Sequence, residues 1–423
     1  MLWRTLMRME RGRRASLVVV PVLCSLAAFG LLRVTMGGER LIRLPETLTF
    51  TEDTAGQLLA TVIGALTAML AIVLAFSMLV VQLAMGQLSP RLVGFWYRDR
   101  HLKATLGIVV GALVYALLLL ARVKPGFVPS VSTVLAAVLL LLSIGAFLSF
   151  VQHVGQVVRP EHVADRIMQV TLRSARRCLA GTSHDEQEAL NLPPEPRVAL
   201  RYFGPRGVLQ LIHGAGLMKD ARRLGVRVVM VSAAGDFLQP GDCVAVAYGP
   251  VPASGGHRLS LERHIVVGGG RLPSQDLLLG LRLLVDVAIR ALSPAVNDPT
   301  TAVEMLERIG ALLADFGKRR LGARWLSDVD GQERLCLLMP TWEDALSLGV
   351  AEIAEYSQGA PQVRRRLRAL LQELLDTLPV SRHDALDRHL HELDDVEERR
   401  RDASSGTDRP DRQGFGPTRP VLA

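Results

Sequence analysis

Four stretches of this chain run without formal charge far enough to cross a bilayer, which takes roughly 20 apolar residues. They lie between Arg14 and Arg33, Asp53 and Arg91, Lys103 and Arg122, and Lys124 and Arg159, the last interrupted only by His153. They predict helices near 16–33, 56–84, 104–121 and 128–152. The second run is longer than a perpendicular span needs, so its helix should tilt or extend past the membrane surface. Arg4, Arg8, Arg11, Arg13 and Arg14 before the first apolar core give it the shape of a signal peptide. No small-x-small cleavage site follows, and Leu23 before Cys24 makes a poor lipoprotein signal, so an uncleaved first span is expected.

Beyond residue 155 the pattern changes. Residues 161–180 mix Val163, Ile167, Val170 and Leu172 with charged positions at helical spacing, predicting an amphipathic helix. Residues 181–197, with Pro193-Pro194-Glu195-Pro196, read as a solvated linker. Strand signals follow at 207–212, 226–231, up to Tyr248, and 261–267, with a short helix at 217–224. Two Gly-Asp turns, at Gly235-Asp236 and Gly241-Asp242, separate Val-rich runs and point to a small β-barrel or sandwich. Helices are predicted at 275–292, from Pro299 to about 316, from Thr341 to about 358, and at 362–378. One strand is predicted at 334–339. A charged helix from Ser381 to about 401 reads as solvated or coiled rather than core, and 403–423 as a disordered tail.

The fold class expected is an integral membrane α-helical region of four transmembrane helices, then a cytoplasmic α+β domain with a helical C-terminal part. The predicted divisions are a transmembrane region at 1–155, a connecting helix and linker at 156–197, a β-rich subdomain at 198–270, a helical subdomain at 271–380, and the charged helix and tail at 381–423.

The net charge of +8 would by itself suggest an acidic partner such as nucleic acid. Its distribution removes that reading. Residues 1–158 hold 14 basic and 6 acidic groups, whereas 159–423 hold 35 of each. The excess lies beside the apolar runs, so the partner it predicts is a lipid bilayer. The N-terminus carries +4 and the loop at 86–103 carries +3, against −1 and +2 in the alternate segments. By the bias of Lys and Arg toward the cytoplasm, both termini and everything after 155 should be cytoplasmic, in a multi-pass inner-membrane protein. Phe95-Trp96-Tyr97 would then anchor the basic loop at the interface.

Candidate chemistry is sparse. No span carries Asp, Glu or Lys, and Arg33 sits at an end, which argues against an ion-coupled transporter. The second span is rich in small residues, and Ala60, Gly64 and Ala68 form a small-xxx-small ridge suited to intrachain packing or to an oligomeric pore. Gln82 and Gln87 would place neutral polar groups near its inner end. His153 reads as an interfacial hydrogen-bonder. Gly268-Gly269-Gly270-Arg271 lacks the spacing of a nucleotide loop and reads as a turn. On the helix at 275–292, Arg282, Asp286, Arg290 and Ser293 form a polar stripe, either a ladder of ion pairs or a face toward a ligand or subunit. Asp298 should cap the next helix, with Pro299 as its first residue. The cysteines, Cys24, Cys178, Cys243 and Cys336, are too dispersed for a disulfide framework or a thiol-rich zinc site. No metal or cofactor is expected, and no linear catalytic motif accompanies His213, His257 or His264.

Asp286-x-Ala-x-Arg290-Ala-Leu-Ser293-Pro294-x-x-Asn297-Asp298-Pro299-x-Thr301-Ala302, preceded by Gln275-Asp276, resembles the signature of a bacterial family of predicted membrane proteins, domain of unknown function 2254. Gln82-Leu-Ala-x-x-Gln87-Leu-Ser89-Pro90-Arg91 extends the resemblance upstream, and together they cover most of 15–380. Members usually have Arg-Thr before the Gln-Asp pair, whereas here Arg271 is followed by Leu272-Pro273. The resemblance implies the membrane-plus-soluble layout and no activity. The expected role is a homo-oligomeric, channel-like protein with a cytoplasmic regulatory domain. The alternatives are a membrane-tethered sensor or scaffold, whose ligand would sit near Arg271, Asp276, Asp286, Arg290 and Asn297, and, third, an enzyme.

Overall fold

The computed structural model describes residues 17–39, 45, 49–87, 99–125, 127–157, 159–179, 197–249 and 261–405. Among the described residues, four helices are long and apolar enough to cross a membrane: α1 (Val19–Gly38), α2 (Glu52–Gln87), α3 (Arg100–Leu120) and α4 (Ser130–Val157). The 36 residues of α2 span about 54 Å, well over the roughly 30 Å hydrocarbon core. It begins earlier than its apolar run because Glu52 and Asp53 suit the positive end of the helix dipole. The predicted interfacial Phe95-Trp96-Tyr97, the linker at 181–196, the N-terminal arginines and the tail beyond 405 lie outside the described residues.

The bundle is organised around α3. Its apolar window is 61% buried, against 11–22% for the other three helices. Glycines set the closest approach. A Cβ on Gly107 would lie 2.8 Å from Val20 Cγ1, and one on Gly111 would lie 3.2 Å from Cys24 Cβ, so α1 rests on a Gly-x-x-x-Gly groove of α3. At the far end of α1, Glu39 accepts hydrogen bonds from the Val131 and Ser132 amides at 3.2 and 2.8 Å, capping α4 from another helix. Tyr115 Oη lies 3.1 Å from Thr35 Oγ1 and donates to the Ser132 carbonyl at 3.3 Å, which ties α1, α3 and α4 together. Outward-facing Leu26, Val34, Leu141 and Leu148 form the apolar exterior that a lipid phase would cover.

The amphipathic α5 (Pro160–Cys178) leads from the bundle to a mixed α+β region. A five-stranded sheet has the order β1-β5-β3-β8-β7, formed by Arg197–Arg201, Cys243–Tyr248, Arg227–Met230, Glu333–Leu337 and Arg324–Ser327. A three-stranded sheet has the order β4-β2-β6, formed by Phe237–Leu238, Gly207–Ile212 and Ile265–Gly268. All pairings are antiparallel except β3 with β8. Both predicted Gly-Asp turns form. Asp236 and Asp242 accept from the amides of Ala233 and Gln239 at 2.8 and 2.7 Å, with Gly235 and Gly241 at φ of +110° and +98°.

The predicted barrel does not close. α6 (Gly214–Leu224) separates β2 from β3, and β3 is already flanked by β5 and β8, so β2 pairs with β4 and β6 instead. The two open sheets share a core of Leu209, Met230, Leu238, Val244, Ile265 and Leu335, into which α6 adds Leu217 and Ala221. Residues 261–263 form a 3-10 turn before β6 rather than extending the strand.

The remaining helices are α7 (Leu277–Ala291), α8 (Pro299–Gly317), α9 (Trp342–Tyr356), α10 (Pro361–Thr377) and α11 (His383–Ser405). With α5 they enclose a second core that includes Ile167, Leu284, Leu306, Trp342, Leu346 and Leu371. Gly280 lets α7 approach α5, since a Cβ there would collide with Thr171 Oγ1. The charged α11 departs from its expected solvated character. Ala385, Leu386 and Leu393 are buried, because every third or fourth position gives it one narrow apolar stripe.

Candidate functional site

The residues singled out between 271 and 301 fall into three hydrogen-bonded sets. The first fixes the start of α7. Asp276 is buried, caps the helix through the Leu279 amide at 3.1 Å, and takes Arg271 Nε and Nη2 at 2.5 and 2.8 Å. That bidentate bond outweighs desolvation and raises the Arg271 pKa. Beside it, the Gln275 amide both accepts from the Ile212 N–H at 2.7 Å and donates to the Ile212 carbonyl at 3.0 Å. The side chain thus stands in for a strand partner and joins α7 to β2.

The second set is Arg282, which bonds Asp286 at 2.7 Å on its own helix and clasps Glu352 of α9 with both terminal nitrogens. The bond to Glu352 contributes most to raising the Arg282 pKa. Glu352 carried no signal in the sequence, because the pairing spans 70 residues.

The third set is the turn into α8. Ser293 Oγ donates to the Arg290 carbonyl at 2.7 Å, and the Ser293 carbonyl accepts from Val296 and Asn297 at 3.0 and 2.8 Å. Asn297 has φ of +46°, the only left-handed residue other than glycine among those described. Asn tolerates that conformation better than most residues. Asp298 caps α8 as the spacing predicts, accepting from the Thr301 amide and hydroxyl at 3.1 and 2.6 Å, and these bonds lower its pKa. Arg290 lies between the second and third sets, with its buried Nε lacking a hydrogen-bond partner among the described residues.

On α2, Ala60, Gly64 and Ala68 are exposed, and nothing lies within 4 Å of a Cβ built on Gly64. Intrachain packing uses the opposite face, through Leu59, Val62, Leu66 and Val73. The ridge is therefore not what holds this bundle together. Gln82 is exposed near the end of the helix, and the side chain of Gln87 lies outside the described residues.

Two polar clusters were not read from the sequence as groups. At the start of α3, buried Asp99 caps the helix through the His101 and Leu102 amides at 2.7 and 3.2 Å. His153 Nε2 of α4 lies 2.9 Å from the same carboxylate, its ring 4.1 Å from that of His101, and Arg166 of α5 approaches to 3.9 Å. Burial alone would raise the Asp99 pKa, but the His153 bond and charge with the two amides hold it below the usual value. In the β region, His264 Nε2 lies 2.8 Å from Asp220, leaving its buried Nδ1 without a hydrogen-bond partner among the described residues. His213 stacks on it at 6.2 Å, and burial, then the neighbouring imidazole, lowers the His213 pKa.

Among the described residues, no group of three or more His, Cys, Asp or Glu side chains is arranged to hold a metal. All four cysteines are free, and Cys336 is buried.

Known proteins resemble the chain in sequence. Uncharacterized proteins of Mycobacterium tuberculosis and Mycobacterium bovis are each 28% identical to the chain over 313 residues. Those alignments cover 72% of this chain and 60% of the relatives' own length. No solved structure matches the chain significantly. Residues 14–373 match the family described as "Predicted membrane protein (DUF2254)", and the chain belongs to that family.

Proposed function

We propose that this membrane protein assembles into a homo-oligomeric, channel-like complex in which α2 faces neighbouring subunits and the α+β region regulates it from the cytoplasmic face of a bacterial inner membrane. The orientation of α2 carries this reading. Its small-residue ridge points away from its own bundle, while the bulky Leu59, Val62 and Leu66 point inward. In lipid, small residues on one face favour close approach of another helix. Thr61 and Thr67 on the exposed side donate to the carbonyls of Gln57 and Ile63 at 2.8 Å, so they add polar oxygens while satisfying their own protons. Support for regulation comes from the contact between α2 and α7. Arg271, Gln275, Asp276, Arg282 and Asp286 brace α7, so movement of that helix would be passed to α2 as a unit.

The test is disulfide crosslinking of A60C, G64C and A68C, each in a background lacking the native cysteines, in native membranes. It is paired with solute flux from liposomes containing the purified chain. Crosslinked multimers with one helical phase, together with flux, are expected. A monomer in bilayer discs, or reconstituted protein silent under voltage, tension and pH change, would overturn the reading.

A further inference from the structure

A half-open cavity of about 210 Å³ lies between α9, α10 and α11. Val350 and Ala354 of α9, Leu367 and Leu371 of α10 and Leu393 of α11 give it apolar walls. Arg364 of α10 also lines it, and its Nε and Nη1 are buried without a hydrogen-bond partner among the described residues. Three other half-buried arginines are paired. Arg282, Arg319 and Arg334 are comparably enclosed, and each is clasped by a carboxylate at 2.7 Å. Buried N–H donors left without a partner are among the costlier features a fold can carry.

The two carboxylates of the cavity do not relieve it. Glu355 and Glu392 are exposed and form the rim, and Glu392 is taken up by His389 Nδ1 at 2.8 Å. Neither lies within ion-pair distance of Arg364.

We propose that this cavity binds a small amphipathic monocarboxylate, with its carboxylate on the Arg364 guanidinium and its alkyl chain against the leucines of α10 and α11. A guanidinium presents paired N–H donors that match the two oxygens of a carboxylate. The guanidinium has no bond to break before it swings toward the cavity. The rim carboxylates repel a second negative charge, which selects a monoanion over phosphate or a dicarboxylate. Size agrees, since an engineered cavity of about 150 Å³ holds benzene, so this one accommodates an alkanoate of roughly four to eight carbons. The inference stands independently of the channel reading, because the cavity is lined by α9, α10 and α11 and by no residue of α1 to α4.

The experiment is thermal unfolding of the full chain in neutral detergent with sodium hexanoate as probe. Hexanol, adipate and inorganic phosphate serve as controls. Saturating hexanoate should raise the midpoint by roughly 4–8 °C, the size expected when a ligand is present far above its dissociation constant. The controls should leave the midpoint within about 1 °C of the ligand-free value. R364L should fold at least as stably as the parent without ligand, since it removes two buried donors that lack partners, and should lose the hexanoate shift. R364K, which keeps charge without the fork, should retain part of it. Butyrate through octanoate then distinguishes the source. A response that peaks within the series indicates a free short-chain acid, and one still climbing at octanoate indicates a fatty acid from lipid. No shift with any alkanoate, an equal shift with hexanol, or an undiminished shift in R364L would overturn the proposal.

Discussion

Replacing Asp276 separates a structural role for the Gln275-Asp276 pair from a ligand-binding one. The carboxylate does two things at once, capping α7 and holding both nitrogens of Arg271. Losing a helix cap costs about 1 kcal/mol. The Arg271 side chain is 38% exposed, so the ion pair is discounted from the cost of a buried one to about 1 kcal/mol. D276A should therefore cost about 2 kcal/mol. At 2–4 °C per kcal/mol for a domain of this size, its midpoint should fall by about 4–8 °C. D276N keeps a good capping residue and loses only the charge, so it should fall by about half as much. R271A should resemble D276N, and R271A/D276N should be little worse than either single variant, because both remove the same interaction. Thermal unfolding in detergent, followed by tryptophan fluorescence to which buried Trp342 contributes, measures all four. A D276A protein that melts with the parent, or additive losses in the double variant, would refute the assignment. It would return these residues to the status of ligand contacts.

The bundle gives a paired test: G107V should lower the yield of folded protein by forcing α1 off α3, whereas G64V should leave the fold intact and weaken only assembly between subunits, as gel filtration in detergent would register. The depressed pKa of Asp99 means that its stabilising contribution is full above the ordinary carboxylate range and is lost as pH falls through the folded-state value. The midpoint should thus drop more steeply below about pH 4 in the parent than in D99N, measured as a series of melts. Burial pushes the Cys336 thiol up to about 11, so it should resist maleimide at pH 8 until the chain unfolds, which mass spectrometry of labelled peptides would detect.

What could be read in advance was whatever depends on neighbours in sequence. Charge-free runs located α1 to α4, and local capping chemistry placed Asp298 and Thr341, the latter in a reciprocal bond with Asp344. Partners distant in the chain left no such trace. β1 and β7 escaped notice because each is short and is defined by pairing, with β5 and β8. The barrel was inferred from turn spacing, which reports hairpins but not closure. The Ala60, Gly64 and Ala68 ridge of α2 is the longer run of small residues, yet the Gly107 and Gly111 groove of α3 is what packs. Whether a ridge is used depends on the helix opposite, which composition does not encode. The same limit applies to the candidate sites. Arg282 was visible, but Glu352 was not, and an arginine without a partner, such as Arg364, is identifiable only when all its neighbours are in place.

The parallel register of β3 with β8 sets a timetable for synthesis. β3 ends at Met230, and the strand that covers its free edge begins at Glu333. At 5–20 residues per second, a ribosome leaves that edge open for about 5–20 s after β3 emerges. Throughout that interval Val228 and Val229, which will face Leu335 and Cys336, present unpaired amides and carbonyls to any other nascent chain. Translation pauses between residues 230 and 333 would therefore favour aggregation, and a chaperone that shields this edge would do more for the yield of native protein than one acting on the already inserted membrane helices.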